Sequence, residues 1–137
     1  MSESGILTVH LREHVPEEEL RDALAKVFGV AKEKLALLED ATPATLIPYQ
    51  YTPRSRGFLL TIEVYAGRAS ESGPKSDLAL AARLAKHFAQ DALISPPAGG
   101  EDPYRWLLIR PDGTTINVAE IPSEGDEDGI VIAEPRV

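Results

Sequence analysis

Apolar and polar positions first follow a strand period and then a helix period. Residues 6–12 alternate, with three aliphatic side chains on one face, which is typical of a half-buried strand. After Pro16 the apolar residues recur at i, i+3, i+4, i+7 and i+8, so a helix with one continuous apolar stripe is predicted. Gly29 follows the last apolar position, and glycine favours the left-handed conformation that ends a helix.

A second helix is predicted over residues 77–90, with Ser76 or Asp77 as its N-cap. Its buried stripe consists of Leu78, Ala81, Leu84, Ala85 and Phe88. The opposite, solvated side carries Arg83, Lys86, His87 and Gln90. Solvation is the ordinary role of such a polar side, and the alternative is that His87 joins Arg83 in binding a partner.

Extended segments separate the two helices. Residues 35–39 are predicted as a short strand, and residues 45–51 as an edge strand or an irregular piece, because Pro48 cannot donate to a ladder. The clearest strand follows a turn over residues 52–57 and places alternate side chains on one face. That face consists of Phe58, Leu60, Ile62, Val64 and Ala66.

A hairpin is predicted over residues 104–110 and 114–121. Pro111, Asp112 and Gly113 connect its strands, and each of these residue types favours a tight turn. Residues 130–133 are predicted as a last edge strand. Because antiparallel hairpins separate the helices, the pattern favours an α+β fold with both helices on one face of an antiparallel or mixed sheet. The predicted topology is a ferredoxin-like core with an added C-terminal hairpin.

Length and composition narrow the class of protein. The 137 residues predict a single α+β domain over 1–137, with an acidic loop at 123–129. A net charge of −8 argues against nucleic acid and anionic membranes as partners. With no cysteine, no visible secretory signal and no long apolar run, the chain is expected to be cytoplasmic.

Few residues form a pattern that indicates catalysis. His10 and His14 are four apart, a spacing that suits a metal on a helix, but their segment is predicted to be extended. We therefore expect two solvent-facing imidazoles, no metal site and no cofactor. A small enzyme or ligand-binding domain that uses the open sheet face around Glu63, Tyr65 and His10 is an alternative.

Acidic residues are concentrated near the C-terminus. Residues 101–137 contain nine acids and three arginines, a net of −6, while residues 1–100 carry 13 acids and 11 bases. Such a patch either keeps the chain soluble or attracts a basic partner. The candidate partner-binding residues are Glu101, Asp102, Tyr104, Trp106, Glu124, Asp126, Glu127 and Asp128. Trp106 is either a core residue or an aromatic anchor at the sheet rim.

A small basic spot lies in the turn before Gly57, where Arg54 and Arg56 are two residues apart. The alternatives for this spot are contact with nucleic acid, with an acidic protein, or with the chain's own acidic loop.

The small, acidic, cysteine-free chain resembles the immunity proteins of bacterial toxin systems. The resemblance includes a helix that ends in Phe28-Gly29-Val30, the segment 35–40 after it, and the block 103–114. It implies a non-enzymatic protein that binds a toxin, for instance a basic nuclease domain, and occludes its active or binding surface. Dimeric secretion chaperones are similar in size and charge, which leaves a homodimer as an alternative.

Overall fold

The computed structural model describes residues 6–67, 73–96, 104–121 and 129–133, which form two helices and eight strands. In chain order these elements are β1 (Ile6–Leu11), α1 (Glu17–Phe28), β2 (Leu35–Leu37), β3 (Ile47–Pro53), β4 (Leu60–Tyr65), α2 (Asp77–Phe88), β5 (Ala92–Ile94), β6 (Arg105–Ile109), β7 (Thr115–Glu120) and β8 (Ile132–Ala133). Short 3₁₀ helices at Lys32–Lys34 and Leu38–Asp40 flank β2.

The eight strands form one sheet in the order β2-β3-β4-β1-β5-β6-β7-β8. β2 and β3 are parallel, and every other neighbouring pair is antiparallel. Within the unit β3-β4-β1-β5, α1 precedes β3 and α2 precedes β5, and one strand separates each pair of strands that a helix connects. This is the split βαβ arrangement of a ferredoxin-like core. The predicted α+β class, the mixed sheet and the added hairpin are confirmed.

Both helices begin and end where local sequence favours it. Pro16 precedes α1, and Gly29 adopts a left-handed φ of 67° after it, as predicted. The Ser76 side chain caps α2 by accepting a hydrogen bond from the backbone N–H of Ala79 at 3.1 Å. α2 ends at Phe88, two residues before its predicted end. Each helix has 12 residues, and within the described part of the chain no helix is long and apolar enough to cross a bilayer.

The main core lies between the helices and one face of the sheet. α1 buries its predicted stripe of Leu20, Ala23, Leu24, Val27 and Phe28. α2 buries Leu80, Ala81, Leu84 and Ala85. The sheet contributes the alternating side chains of β1, β3 and β4, together with Ala92, Ile94 and Ile109. Both helices therefore pack on the same face of the sheet and share one continuous apolar cluster with it.

A second apolar cluster, here called the outer cluster, covers part of the opposite face. Its buried members are Phe58, Leu93, Leu108, Val118 and Ile132, and Trp106, Ile116 and Ile130 pack against them. The backbone N–H of Phe58, just before β4, donates to the carbonyl of Ile130, just before β8, at 3.0 Å. These strands are five positions apart in the sheet, so the sheet coils around the outer cluster.

Two details of the predicted strands are wrong. Pro48 lies in an interior strand and not in an edge strand, because β2 pairs with β3 on its far side. The proline is tolerated since its partner is the three-residue edge strand β2, while pairing with β4 begins only at Tyr49. Phe58 does not share the face of Leu60, because the strand begins at Leu60 and the preceding turn directs Phe58 into the outer cluster.

Candidate functional site

The end of the β6–β7 hairpin gathers the candidate residues that the structure describes. Tyr104 is 46% exposed, and its carbonyl accepts a hydrogen bond from the backbone N–H of Glu120 at 2.7 Å. The indole N–H of Trp106 donates to the Glu120 carboxylate at 3.0 Å. This end therefore presents an exposed tyrosine, and on the paired strand a glutamate whose carboxylate the Trp106 indole holds in place.

Six of the candidate acids lie outside the described residues, namely Glu101, Asp102, Glu124, Asp126, Glu127 and Asp128. The chain attaches them to this hairpin end nonetheless. Asp102 precedes Tyr104 by two positions, and Glu124 follows Ile121 by three. The predicted loop at 123–129 likewise lies outside the described residues except for Gly129.

Gly129, which directly follows the acidic run, packs against the turn that carries Arg54 and Arg56. A Cβ on Gly129 would lie 1.9 Å from the carbonyl oxygen of Arg56, and a Cβ on Gly57 would lie 2.0 Å from that of Ile130. Only glycine permits so close an approach of two backbones. We call this contact between residues 56–58 and 129–130 the clasp. It joins the end of the acidic run to the predicted basic spot.

His10 is a buried histidine on the face that was predicted to be wet. It is 9% exposed, so the expectation of a solvent-facing imidazole is wrong for His10, whereas His14 is exposed. Its Nδ1 lies 2.9 Å from the Thr61 hydroxyl oxygen, which also accepts a hydrogen bond from Arg54 Nε at 3.1 Å. The Trp106 ring meets the imidazole edge-on, with centroids 5.4 Å apart.

The surroundings of His10 favour its neutral form. Burial is the larger cause and the nearby Arg54 charge the smaller one, and together they lower the pKa of His10 to about 4. The neutral imidazole lies between Thr61 and Trp106 and packs at the border of the outer cluster. Trp106 and Leu108, which alternate on the face opposite to Leu107 and Ile109, lie on the same face of the sheet as His10, but their alternation alone does not show that they cover it.

The residues of the open-face alternative have separate partners. Glu63 stands opposite Thr8 in β1 and Gln50 in β3. The Tyr65 hydroxyl donates to the Gln50 side-chain carbonyl at 3.0 Å. His10 pairs instead with Thr61, so the described contacts do not join these three residues into one cluster.

A polar trio on the helix side was missed by the sequence analysis. The Tyr49 hydroxyl donates to the Glu17 carboxylate and accepts from Arg21 Nε at 3.1 Å. Burial, followed by the hydrogen bond to Glu17, raises the pKa of Tyr49 to about 12. The phenol therefore stays protonated and ties α1 to β3. Glu17 lies in the first turn of α1, and the sequence gave no signal for a tyrosine partner from a distant strand.

Among the described residues, no group of three histidine, aspartate or glutamate side chains is arranged to hold a metal ion. No protein-family model, curated protein or solved structure matches this chain.

Proposed function

We propose that this protein is a non-enzymatic binding module that recognises a basic protein partner through the acidic end of the β6–β7 hairpin. Its action is most like that of an immunity protein, which occludes the active or binding surface of a toxin. The surface consists of Tyr104, Trp106 and Glu120 together with the acidic residues that the chain attaches to them.

One observation carries this proposal. The hydrogen bonds of Glu120 to Tyr104 and Trp106 bring together the two chain ends from which the acidic segments extend. Exposed aromatic side chains supply much of the binding energy at protein interfaces, and surrounding charges select the partner. An exposed tyrosine to which the chain attaches acidic segments suits a partner whose own surface is positively charged, such as a nuclease domain.

Charge also favours fast association. The net of −6 over residues 101–137 attracts a basic protein over a distance of roughly one Debye length, about 8–10 Å at physiological ionic strength. We expect the association rate to fall steeply with added salt and the dissociation rate to change little.

The deciding experiment is a pull-down and calorimetric titration with the product of the gene next to this one. We expect a stable complex and, where that product is a toxin, loss of its activity in the complex. A protein that captures no neighbouring product would contradict the proposal. So would a stable dimer that binds a secreted effector through an apolar groove, since that behaviour belongs to a secretion chaperone.

Charge reversal tests the surface itself. The triple variant Asp126→Lys, Glu127→Lys and Asp128→Lys should weaken the complex by at least about tenfold. The matched control reverses Glu33, Glu39 and Asp40, which are exposed on the β2 side of the fold. Equal weakening by both variants would show that net charge, and not this surface, governs binding.

A further inference from the structure

A basic groove crosses the helix side of this acidic protein. It has a volume of about 790 Å³ and lies between the C-terminal part of α1, the outer side of α2 and the β6–β7 turn. Its cationic side chains are Lys26, Arg83, Lys86 and His87. The first three carry fixed positive charge, although the molecule as a whole has a net charge of −8.

The groove cations lack acidic partners within the described part of the chain. Neither Lys26 nor Lys86 forms an ion pair there, whereas Lys32 outside the groove is held by Asp22 at 2.8 Å. Arg83 donates to the carbonyl oxygen of Val27 at 3.4 Å, which directs its guanidinium across the groove toward α1.

The acid in the groove wall is already engaged. The Asp112 carboxylate accepts hydrogen bonds from the backbone N–H and the hydroxyl of Thr114, at 2.9 and 2.7 Å. It forms no ion pair with Lys26 or Lys86 among the described residues, and its single negative charge leaves the cations of the groove in excess. Cations in a last helical turn also stabilise the helix dipole, but the dipole does not require cations from two helices to line one groove.

The lining of the groove favours carboxylates on a polypeptide over a phosphate. Tight phosphate sites use free backbone N–H groups or a helix N-terminus. Here the lining residues of α1 and α2 lie within helices, and the Gly113 N–H already donates to Arg110 at 2.9 Å. The positive groups are side chains spread around apolar contacts from Val27, Ala82 and Pro111. Spread cations over an apolar floor match an extended chain with several carboxylates and an aliphatic residue.

We infer that this groove binds an acidic segment of another protein, as a second docking surface opposite in charge to the hairpin end. Carboxylates of the segment pair with Lys26, Arg83 and Lys86, and an aliphatic side chain of the segment packs on Val27 and Ala82. The inference is independent of the proposed function, because it uses no residue of the acidic surface.

The probe is a six-residue peptide of four glutamates and two leucines, blocked at both ends. Titrated into the ¹⁵N-labelled full chain, it should shift the amide signals of Lys26, Arg83, Lys86 and Gly113 together, and added salt should weaken it. A peptide with lysine in place of glutamate should shift none of them. Scattered shifts, or equal binding of both peptides, would overturn the inference.

Variants separate the groove from net charge. Lys26→Glu with Lys86→Glu should weaken the acidic peptide at least about tenfold, while the control Lys34→Glu with Lys75→Glu should leave it within about twofold. Both control lysines are exposed and lie outside the groove. If the control pair weakened binding of the acidic peptide equally, the inference that the groove binds it would be wrong.

Two further results would assign the groove to another occupant and overturn the inference. One is tighter binding of inorganic phosphate than of the peptide at the same residues. The other is self-association in light scattering that Lys26→Glu with Lys86→Glu abolishes, since that would make a second copy of this chain the occupant.

Discussion

His10 links the stability of the fold to pH. Its pKa is lowered to about 4 by burial and by Arg54, whereas an unfolded histidine titrates near 6.5. Between these values the unfolded chain binds a proton at this position and the folded chain does not. Stability is therefore fully present above the window and is lost as pH falls through it.

We expect this coupling to cost about 2 kcal/mol of unfolding free energy between pH 7.5 and pH 5. Urea unfolding of the native chain and of His10→Gln at both pH values measures it, since the variant lacks the titrating group. The native chain should lose about 2 kcal/mol more than the variant. His14→Gln, at an exposed histidine, is the control and should keep the native pH dependence.

The clasp depends on the absence of a side chain at Gly57. A Cβ there would lie 2.0 Å from the carbonyl oxygen of Ile130, and its φ of 63° is also strained for alanine. Gly57→Ala should lower the unfolding free energy by about 3 kcal/mol or more, from clash and strain together. Gly29 has a similar φ of 67° and open space around it, so Gly29→Ala should cost only about 1 kcal/mol. Equal losses in thermal or urea unfolding would show that the clasp does not bear on stability.

At the scale of elements, α2 depends on a cap that the sequence already indicated. The Ser76 side chain satisfies the otherwise unpaired N–H of Ala79. Ser76→Ala should cost about 1 kcal/mol, and Ser76→Asp should restore most of it, because aspartate caps equally well. Chemical denaturation of the three proteins checks this, and a loss of equal size in the aspartate variant would exclude capping as the cause.

The elements that could be predicted are those whose signal is local. The helices and the Pro111–Gly113 hairpin follow from periodicity, caps and turn residues in neighbouring positions. The succession of helices and hairpins only favoured the split βαβ arrangement, because the order of strands in the sheet is set by pairing between distant segments. The interior position of β3 could not be predicted, because it depends on pairing with β2. That strand has only three residues, and nothing in its sequence shows that it pairs with β3. His10 was misplaced because alternation tells two faces apart but not whether the second face is covered. Phe58 was misplaced because the alternation extends into the turn, whereas the strand begins only at Leu60.

The site could be predicted only as far as chain connectivity defines it. Tyr104 and Trp106 were assigned to one hairpin strand, and the structure joins both to Glu120 of its partner strand. The contact of Gly129 with the turn at Arg56 realises one of the three alternatives for the basic spot, but its large sequence separation leaves no periodic mark that would select that alternative. The basic groove was visible only as the polar side of α2, without Lys26 from the other helix.

At the scale of the whole molecule, two apolar clusters lie on the two faces of one sheet. The main core includes both helices, while the outer cluster depends on Ile130 and Ile132 from the C-terminal segment. Removing residues 122–137 should therefore expose the outer cluster to solvent and leave the main core intact. We expect a loss of about 3 kcal/mol or more and increased binding of a hydrophobic dye. The companion variant Ile132→Ala in the full chain removes one buried member of the outer cluster and should change both quantities in the same direction but less.

The two charged surfaces have different locations. Tyr104 and Glu120 of the proposed acidic surface lie at one end of the β6–β7 hairpin, and the basic groove includes the turn at its other end. A single partner with both a basic and an acidic region would have to span the hairpin. Salt should accordingly weaken both contacts, and each set of charge reversals should affect its own contact alone.

The clasp also bears on how the chain matures as it is synthesised. Phe58 and Ile130, whose backbones it joins, are seventy-two residues apart. The two helices and the strands β1 to β5 can pack before the last of these residues leaves the ribosome, because every element of that unit precedes residue 95. The outer cluster forms only after Ile130 and Ile132 have been synthesised, and until then Phe58 and Leu93 are exposed to water. A nascent chain that stalls before residue 130 therefore exposes the apolar side chains of the outer cluster and is prone to aggregate. A chaperone would be needed most at this stage.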